Sequence, residues 1–501
     1  MTEQSNKSGN QNGLVRSRGF LITIGVLGAG LILALALCAV AIVTRLGSEE
    51  GEVAGVTSEP TLVPTFTARV AIPTTTPTPD VPTEPSPTAI EGDVAPTAES
   101  PTVAAPTQAA PTDAAPTQQA PTGAAPAATA TSAPPTSPPP SSPVQMASPD
   151  YGIQAVLWWR PEVAHRDLGL VKDAGFTWVK QWFAWRDIEG QGKGKYDWST
   201  SDRIVQQADE FGLKLIVRVD HEPTWAGSPP GNINHFGDFL SAMATRYRGR
   251  IAAYQIWNEP NLKREWGNKA PNAGEYTQML KKAYQVIKAA DPNAIIVSAG
   301  MAPTTELSER AVPDTRFIQS MYDAGAKPYF DMLGAHGAGY KAPPEMDPGQ
   351  VATDPSFYNV GDVNCPGDAC RIYCFRHVED LRQIMVRNGD QAKKVVVLEF
   401  GWTRDERTNS PYYWHRVADQ FVQGDYMKRA YAYAKANWQP WIGVMSLIYM
   451  PDAKWTMDEE QFWWSVIEPS PDEIRLKAPY VILCSYIREQ RGLGRCPWAP
   501  E

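Results

Sequence analysis

Short apolar runs alternate with amphipathic stretches from Tyr151 to the end of the chain. Eight of the apolar runs have the length and residue types of strands: Ile153–Leu157, Thr177–Trp182, Lys214–Val219, Ala252–Trp257, Ala294–Ser298, Phe330–Ala335, Lys394–Leu398 and Ile442–Ile448. Helical patterns fall between them at Val163–Ala174, Ser201–Phe211, Phe236–Tyr247, Glu275–Ala290 and Tyr426–Ala436, with a last helix at Ala478–Arg488.

Strands that alternate with helices indicate parallel βαβ units, and eight such units close a barrel. We therefore predict an α/β fold in which residues 150–501 form a (β/α)8 TIM barrel. An open doubly wound sheet is the alternative. It would normally carry a Gly-rich phosphate loop after its first strand, and this sequence has none.

The first 150 residues have a different pattern. Residues 19–43 are an uncharged apolar run, long enough for a transmembrane helix. Basic residues precede the run and acidic residues follow it, which predicts a cytoplasmic N-terminal tail over residues 1–18. A cleaved signal peptide is the alternative, although its apolar region is usually shorter.

Residues 44–149 are rich in Pro, Thr and Ala, with prolines every five residues from Pro96 to Pro126. Such a composition predicts a disordered, semi-rigid linker. The sequence thus predicts a single-pass protein of the cell membrane with its barrel outside the cell. The net charge of −9 excludes nucleic acid as a partner. We expect a monomer and no cofactor.

The five cysteines of the exported part are Cys365, Cys370, Cys374, Cys484 and Cys496. The first three, with His377, have a spacing that allows a zinc site. An oxidising compartment favours a disulfide instead, so no metal is expected. Cys484 lies in an apolar helix and is interpreted as a buried free thiol. The connectivity stays open.

Two carboxylates directly follow predicted strands. Glu259 lies in WNEPN after the fourth strand, and Glu399 lies in VVVLEFGW after the seventh. Barrel enzymes place their reactive groups at these strand ends, and a pair of carboxylates is the usual equipment for cleaving a glycosidic bond. Each has a structural alternative: Glu259 at a helix N-terminus, and Glu399 in an ion pair with Arg404.

WNEPN followed by VVVLEFGW resembles clan A of the glycoside hydrolases, which are retaining barrel enzymes. The stretch GFTWVKQWFAWRDIEGQGKGKYDW also resembles families 5 and 39 of that clan. The resemblance implies that Glu259 is the acid/base and Glu399 the nucleophile. It also implies that Asn258 binds the 2-hydroxyl of the substrate. The expected reaction is hydrolysis of O-glycosidic bonds, expected to be β-linked, in a poly- or oligosaccharide by double displacement.

The same resemblance suggests further substrate contacts. His336 and Tyr340, after the sixth strand, resemble a histidine and tyrosine of the clan. The remaining candidates are His221, Trp225, Trp402 and Tyr449. Lys180 is a departure, because many relatives have an arginine there.

Two other functions stay open at this point. One is a surface carbohydrate-binding or cell-wall attachment protein with a non-hydrolytic barrel. The other is a transglycosylase that uses the same residues. The presence of both carboxylates and of Asn258 favours an enzyme over a degenerate barrel.

Overall fold

The computed structural model describes residues 144–227, 229 and 231–500. The predicted cytoplasmic tail, the predicted transmembrane helix and almost all of the predicted linker lie outside the described residues. Within the described ranges, no helix has both the length and the apolar character needed to cross a membrane.

Eight parallel strands form one sheet in the order β5-β4-β3-β2-β1-β8-β7-β6. A parallel bridge between Val297 and Met332 joins its two ends, which confirms the predicted (β/α)8 barrel. The strands are β1 Asp150–Ala155, β2 Trp178–Trp182, β3 Lys214–Val219, β4 Ile251–Ile256, β5 Ile295–Val297, β6 Leu333–Ala338, β7 Val395–Gly401 and β8 Ile442–Met450.

The α-helices that the structure describes are α1 Pro161–Asp173, α2 Trp185–Glu189, α3 Ser199–Glu210, α4 Ile233–Arg246, α5 Ala273–Ala290, α6 Asp314–Asp323, α7 Pro348–Thr353, α8 His377–Arg387, α9 Gln420–Asn437, α10 Glu460–Trp464 and α11 Ala478–Gln490. Helix α5 shows why the sequence folds this way. The Asn272 side chain caps its first turn by accepting from the Glu275 N–H. Its buried residues, among them Tyr276, Met279 and Ala283, recur at helical spacing.

Side chains of each strand alternate between the barrel interior and the layer beneath the helices. Trp178, Ile216 and Val396 belong to the cluster inside the barrel. Val397 and Phe400 belong to the larger cluster between strands and helices. The strands are therefore buried on both faces, as expected for a parallel sheet covered by helices.

The chain enters the barrel at the end opposite to the carboxyl ends of the strands. Val144 and Met146 pack against the interior cluster. The Lys394 ammonium donates to the carbonyl of Met146 at 2.9 Å, and Lys214 donates to the carbonyl of Gln145 at 2.8 Å. The predicted boundary at residue 150 is therefore too late, since packing against the barrel extends at least to Val144.

Two disulfides join Cys365 to Cys370 and Cys484 to Cys496. The interpretation of Cys484 as a free thiol is therefore wrong, because its partner lies just beyond the end of α11. Cys374 is the free cysteine of the described residues, and it is buried. The first disulfide joins two of the three cysteines of the alternative zinc site, so these two are not free to bind a metal.

Replacing Met146 by Ala is expected to lower the free energy of unfolding by about 1–2 kcal/mol, because Met146 is half-buried against the barrel interior. Met457→Ala is the matched control, since Met457 is 58% exposed. Chemical denaturation of both variants checks this. Equal stability of the two variants would mean that the packing of Met146 against the barrel interior does not stabilise the fold.

Candidate active site

An irregularity in β7 turns Glu399 into the barrel. Ala335 of β6 pairs with Val397, and His336 pairs with Glu399, so Leu398 is an extra residue on β7. Leu398 faces the barrel interior, and regular alternation would direct the next side chain outward. The bulge resets the alternation, and Glu399 therefore shares the barrel interior with side chains of the neighbouring strands.

Two cations from neighbouring strands hold the Glu399 carboxylate. The Lys180 ammonium lies 2.9 Å from Oε1, and the Arg218 guanidinium lies 3.8 Å away. Burial alone raises the pKa of Glu399, but Lys180, His336 and Arg218 outweigh it and lower the pKa to about 2. Burial also lowers the pKa of Lys180 to about 8, against the opposing effect of Glu399. Glu399 is thus ionised throughout the physiological pH range.

Arg218 continues the charge network towards the next loop. Its guanidinium lies 2.7 Å from Asp220, whose other oxygen lies 2.6 Å from Nδ1 of His221. Burial raises the pKa of Asp220, but Arg218 and His221 lower it overall. The hydrogen bond that His221 donates to Asp220 in turn raises the pKa of His221. A cation beside Glu399 is therefore itself balanced by a buried carboxylate.

The loop after β4 presents Glu259 at the same end of the barrel. Glu259 has φ of 45°, a left-handed value that a non-glycine residue adopts only at a cost. Its N–H donates to the Gly300 carbonyl at 3.0 Å. Asn261 is fully buried and donates to the carbonyls of Ala302 and Val312. These bonds tie the loop to the segment after β5 and hold the strained conformation.

His336 connects the two carboxylates. Its Nδ1 lies 3.1 Å from Oε1 of Glu259, while its backbone pairs in register with Glu399. A Cβ at Gly300 would lie 2.2 Å from Cδ2 of His336, so glycine is required there for the imidazole to reach Glu259. His336 is 4% exposed and thus fixed in place.

Asn258 is oriented by its own strand. The Gln255 side chain donates to Oδ1 of Asn258 at 3.1 Å and to the Trp257 carbonyl at 2.9 Å. Among the residues that the structure describes, Nδ2 of Asn258 has no hydrogen-bond partner. The amide is therefore available to donate to a hydroxyl group of a ligand.

Arg264 and His221 mark the edge of the site. The Arg264 guanidinium lies 3.5 Å from Oε2 of Glu259 and 3.3 Å from Glu265. A cavity of about 320 Å³ beside it is lined by His221, Trp257 and Glu265, among others. The predicted residue His221 thus lines a cavity that adjoins Glu259.

Two predicted tyrosines lie near the carboxylates. Burial raises the pKa of Tyr449 well above its usual value, and the charge of Glu399 adds to this effect. Burial likewise raises the pKa of Tyr340, with a smaller contribution from Glu259. Tyr340 also has a left-handed φ of 52° and stacks on Trp414. Both phenols are half-buried and within the electrostatic reach of the carboxylates.

The two predicted tryptophans, Trp402 and Trp225, pack within the protein. Trp402 is 0% exposed, and its indole N–H donates to the Ala342 carbonyl at 2.9 Å, so it has no face for a sugar ring. Trp225 is half-buried, donates to the Glu189 carbonyl at 2.7 Å and packs edge-on against Trp185. Both side chains are occupied by contacts within the protein.

Arg218, Gln255 and Arg264 are site residues that the sequence analysis missed. Arg218 was detectable, because it alternates with Ile216 in a strand whose alternate residues face the barrel interior. Gln255 has the same relation to Ala253 within β4. Arg264 lies in a loop, and no periodicity points to it.

Residues 141–356 match the family model described as cellulase, glycosyl hydrolase family 5. The matched range contains Glu259 and ends before Glu399. This match confirms the resemblance to clan A glycoside hydrolases and supports the prediction that the chain is a glycosidase. No curated protein matches the chain.

A family 39 glycoside hydrolase from the gut symbiont Bacteroides cellulosilyticus WH2 has a similar structure. The TM-score is 0.50 at 18% identity, over 68% of this chain and 63% of that one. A GH5_18 protein from Streptomyces cattleya in complex with GlcNAc is 11% identical, with TM-score 0.48, over 70% and 83%. A monomeric β-xylosidase from Caulobacter crescentus CB15 is 15% identical, with TM-score 0.45, over 69% of each chain. The likeness to the first of these shows the barrel fold.

Replacing Lys180 by Met is expected to raise the pKa of Glu399 by at least about one unit, equivalent to about 1.4 kcal/mol. The effect of burial, which raises the pKa of Glu399, would then be opposed only by His336 and Arg218. A pH titration of the Glu399 carboxyl carbon by ¹³C NMR measures this shift. Lys454→Met, at an exposed lysine, is the control. An unchanged titration in the Lys180 variant would refute the assigned ion pair.

Proposed function

We propose that this chain is a retaining glycoside hydrolase that cleaves β-O-glycosidic bonds of a poly- or oligosaccharide by double displacement. The observation that carries the proposal is the unlike environment of the two carboxylates. Glu399 is held ionised by Lys180 and Arg218, whereas Glu259 contacts a histidine and an exposed arginine at the same end of the barrel. Such an asymmetric pair suits one nucleophile and one acid/base.

In the first step, an oxygen of Glu399 attacks the anomeric carbon while the bond to the leaving oxygen breaks. Protonated Glu259 gives its proton to that oxygen. The product is a glycosyl ester of Glu399. Asn258 is placed to donate from Nδ2 to the 2-hydroxyl of the sugar, and Gln255 fixes its orientation.

In the second step, ionised Glu259 takes a proton from water while the water oxygen attacks the anomeric carbon. The ester bond breaks, and Glu399 leaves as a carboxylate. Lys180 and Arg218 favour this departure, because the charge that returns to Glu399 lies beside them in a buried site. His336 orients Glu259 in both steps.

A non-hydrolytic carbohydrate-binding barrel is less well supported. Such a barrel would have no use for a largely enclosed carboxylate that needs two cations and a strand bulge, since removing charge from water is costly. A transglycosylase would use the same residues, with a sugar hydroxyl in place of water. Product analysis at increasing acceptor concentration distinguishes it from a hydrolase.

The proposal predicts net retention, because each of the two displacements inverts the anomeric carbon. A retaining pair of carboxyl groups lies about 5–5.5 Å apart, which leaves no room for water to attack directly in the first step. Glu399→Ala should abolish turnover, with partial rescue by azide to an inverted product. Glu259→Ala should accumulate the glycosyl-enzyme from activated aryl glycosides until azide replaces water. NMR of the first-formed anomer checks the stereochemistry.

Glu489→Ala, at an exposed glutamate of α11, is the control for these two variants and should keep full activity. An inverted first product from the unaltered enzyme would show that Glu399 is not the nucleophile. Loss of activity in the control variant as well would indicate misfolding rather than chemistry.

We also propose that residues 19–43 anchor the protein in the cell membrane with the barrel outside. The apolar run supports this, as do the two disulfides, which form in oxidising compartments. Protease added to intact cells should release the barrel from the membrane fraction. A barrel that stays protected until lysis would contradict the orientation, and one that is soluble before protease is added would indicate a cleaved signal.

A further inference from the structure

Three cavities share lining residues in a row that leads from the barrel mouth to the outer face between α6 and α8. The cavity of about 320 Å³ beside Glu259 and a second of about 520 Å³ share Arg264 in their walls. The second and a third of about 700 Å³ share Thr304. We call the second and third cavities together the arginine groove. It begins at Arg264, crosses the loops after β4, β5 and β6, and continues between α6 and α8 to Arg387, the last residue of α8.

The direction of the groove follows from the proposed chemistry. Glu259 gives its proton to the leaving oxygen, so the leaving part of the substrate lies on the Glu259 side of the cleaved bond. Arg264 lies 3.5 Å from Glu259, whereas the cations of Glu399 come from β2 and β3. The arginine groove is therefore the path for sugar units on the leaving side.

Positive charge dominates the walls of the groove. Six lysine and arginine side chains line it, against three carboxylates, although the whole chain has a net charge of −9. Arg316 and Arg387 have no ion-pair or hydrogen-bond partner among the described residues, and both are exposed. Arg371 and Arg310, in contrast, pair with Asp380 and Glu306.

A buried histidine joins two carboxylates behind the wall of the groove. His377 lies 2.8 Å from Asp314 and 3.2 Å from Asp380. Burial lowers the pKa of His377, but the two carboxylates outweigh it and raise the pKa to about 9. The network is satisfied internally, so it holds the wall of the groove and leaves Arg316 and Arg387 without a partner in the third cavity.

The groove lacks the surfaces on which neutral sugars stack. No Trp, Tyr or Phe is among the described residues that line it. Its other groups are hydroxyls such as Thr304 and Thr315, the amide of Asn364, and Leu307, which is 57% exposed. These walls can therefore bind a ligand through charge and hydrogen bonds.

We propose that the arginine groove binds the leaving side of a linear polysaccharide that carries carboxylate groups, and that the enzyme cleaves such chains internally. The inference rests on the proposed function for its direction. Together the two cavities exceed a usual ligand pocket of about 300–1,000 Å³, which suits a chain of several sugar units. Arg316 and Arg387 bind the carboxylates.

Binding by the full chain carrying Glu399→Gln tests the groove without turnover. The probes are carboxymethyl-cellulose and hydroxyethyl-cellulose, which share a β-glucan backbone and differ in charge. We expect tighter binding of the charged polymer. Adding Arg316→Ala and Arg387→Ala together should weaken that binding about five- to tenfold, as expected for two exposed charge contacts, and should leave the neutral polymer unaffected.

Arg248→Ala is the matched control, because Arg248 is exposed and lines neither cavity of the groove. A similar loss of binding in this variant, or equal binding of both polymers by the parent, would overturn the proposal. Activity of the otherwise unaltered enzyme on aryl glycosides reports the proposed function separately. The Arg316/Arg387 double variant should keep that activity, since neither arginine lies at the carboxylates.

Discussion

A carboxylate inside a barrel must either take up a proton or be given counter-charges, and this barrel provides counter-charges for Glu399. The Lys180 side chain is 1% exposed, and its ammonium lies 2.9 Å from the carboxylate. Each ion would be unfavourable alone at this depth, because desolvation penalises charge. The pair places further demands on its surroundings: the bulge at Leu398 directs Glu399 inward, and Arg218, a third buried charge, needs Asp220 to balance it. The polar layer of the barrel mouth follows from that one ion pair.

The backbone at the barrel mouth is strained where it presents these polar side chains. His221, Trp257, Glu259 and Tyr340 all have left-handed φ values and all follow strands at the same end of the barrel. Each such residue costs on the order of 1–3 kcal/mol and persists only where its neighbours impose it. Asn261 does so for Glu259 through bonds to the loop after β5, and Gly300 leaves room for His336 beside it. The strain therefore keeps Glu259 fixed relative to His336.

The order and number of strands were predictable because a parallel sheet buries both faces and so produces continuous apolar runs. The third strand has the predicted bounds, but the sixth extends to Ala338 and includes His336, since Gly and His weaken the apolar signal that marks a strand. Helices α6 and α8 are absent from the predicted helices, and each begins at a buried polar residue, Asp314 or His377. Trp402 appeared to be a sugar contact from its position after β7, yet it is buried against Gly339, where a Cβ would overlap the indole ring. Sequence position gives the end of a strand, but only packing decides which way a side chain turns.

The molecule uses its cations in two ways that differ in their sensitivity to salt. Lys180 and Arg218 lie inside the barrel, where mobile ions do not reach, and screening there is weak. Arg316 and Arg387 are exposed, and their attraction for a distant anion falls within a Debye length of about 8 Å at physiological ionic strength. Salt therefore acts on capture of a charged chain and leaves the ionisation of Glu399 unchanged. For charged polymers, KM should therefore rise with salt while kcat stays constant. Small neutral glycosides do not reach the arginine groove, so their KM and kcat should be the same at every salt concentration.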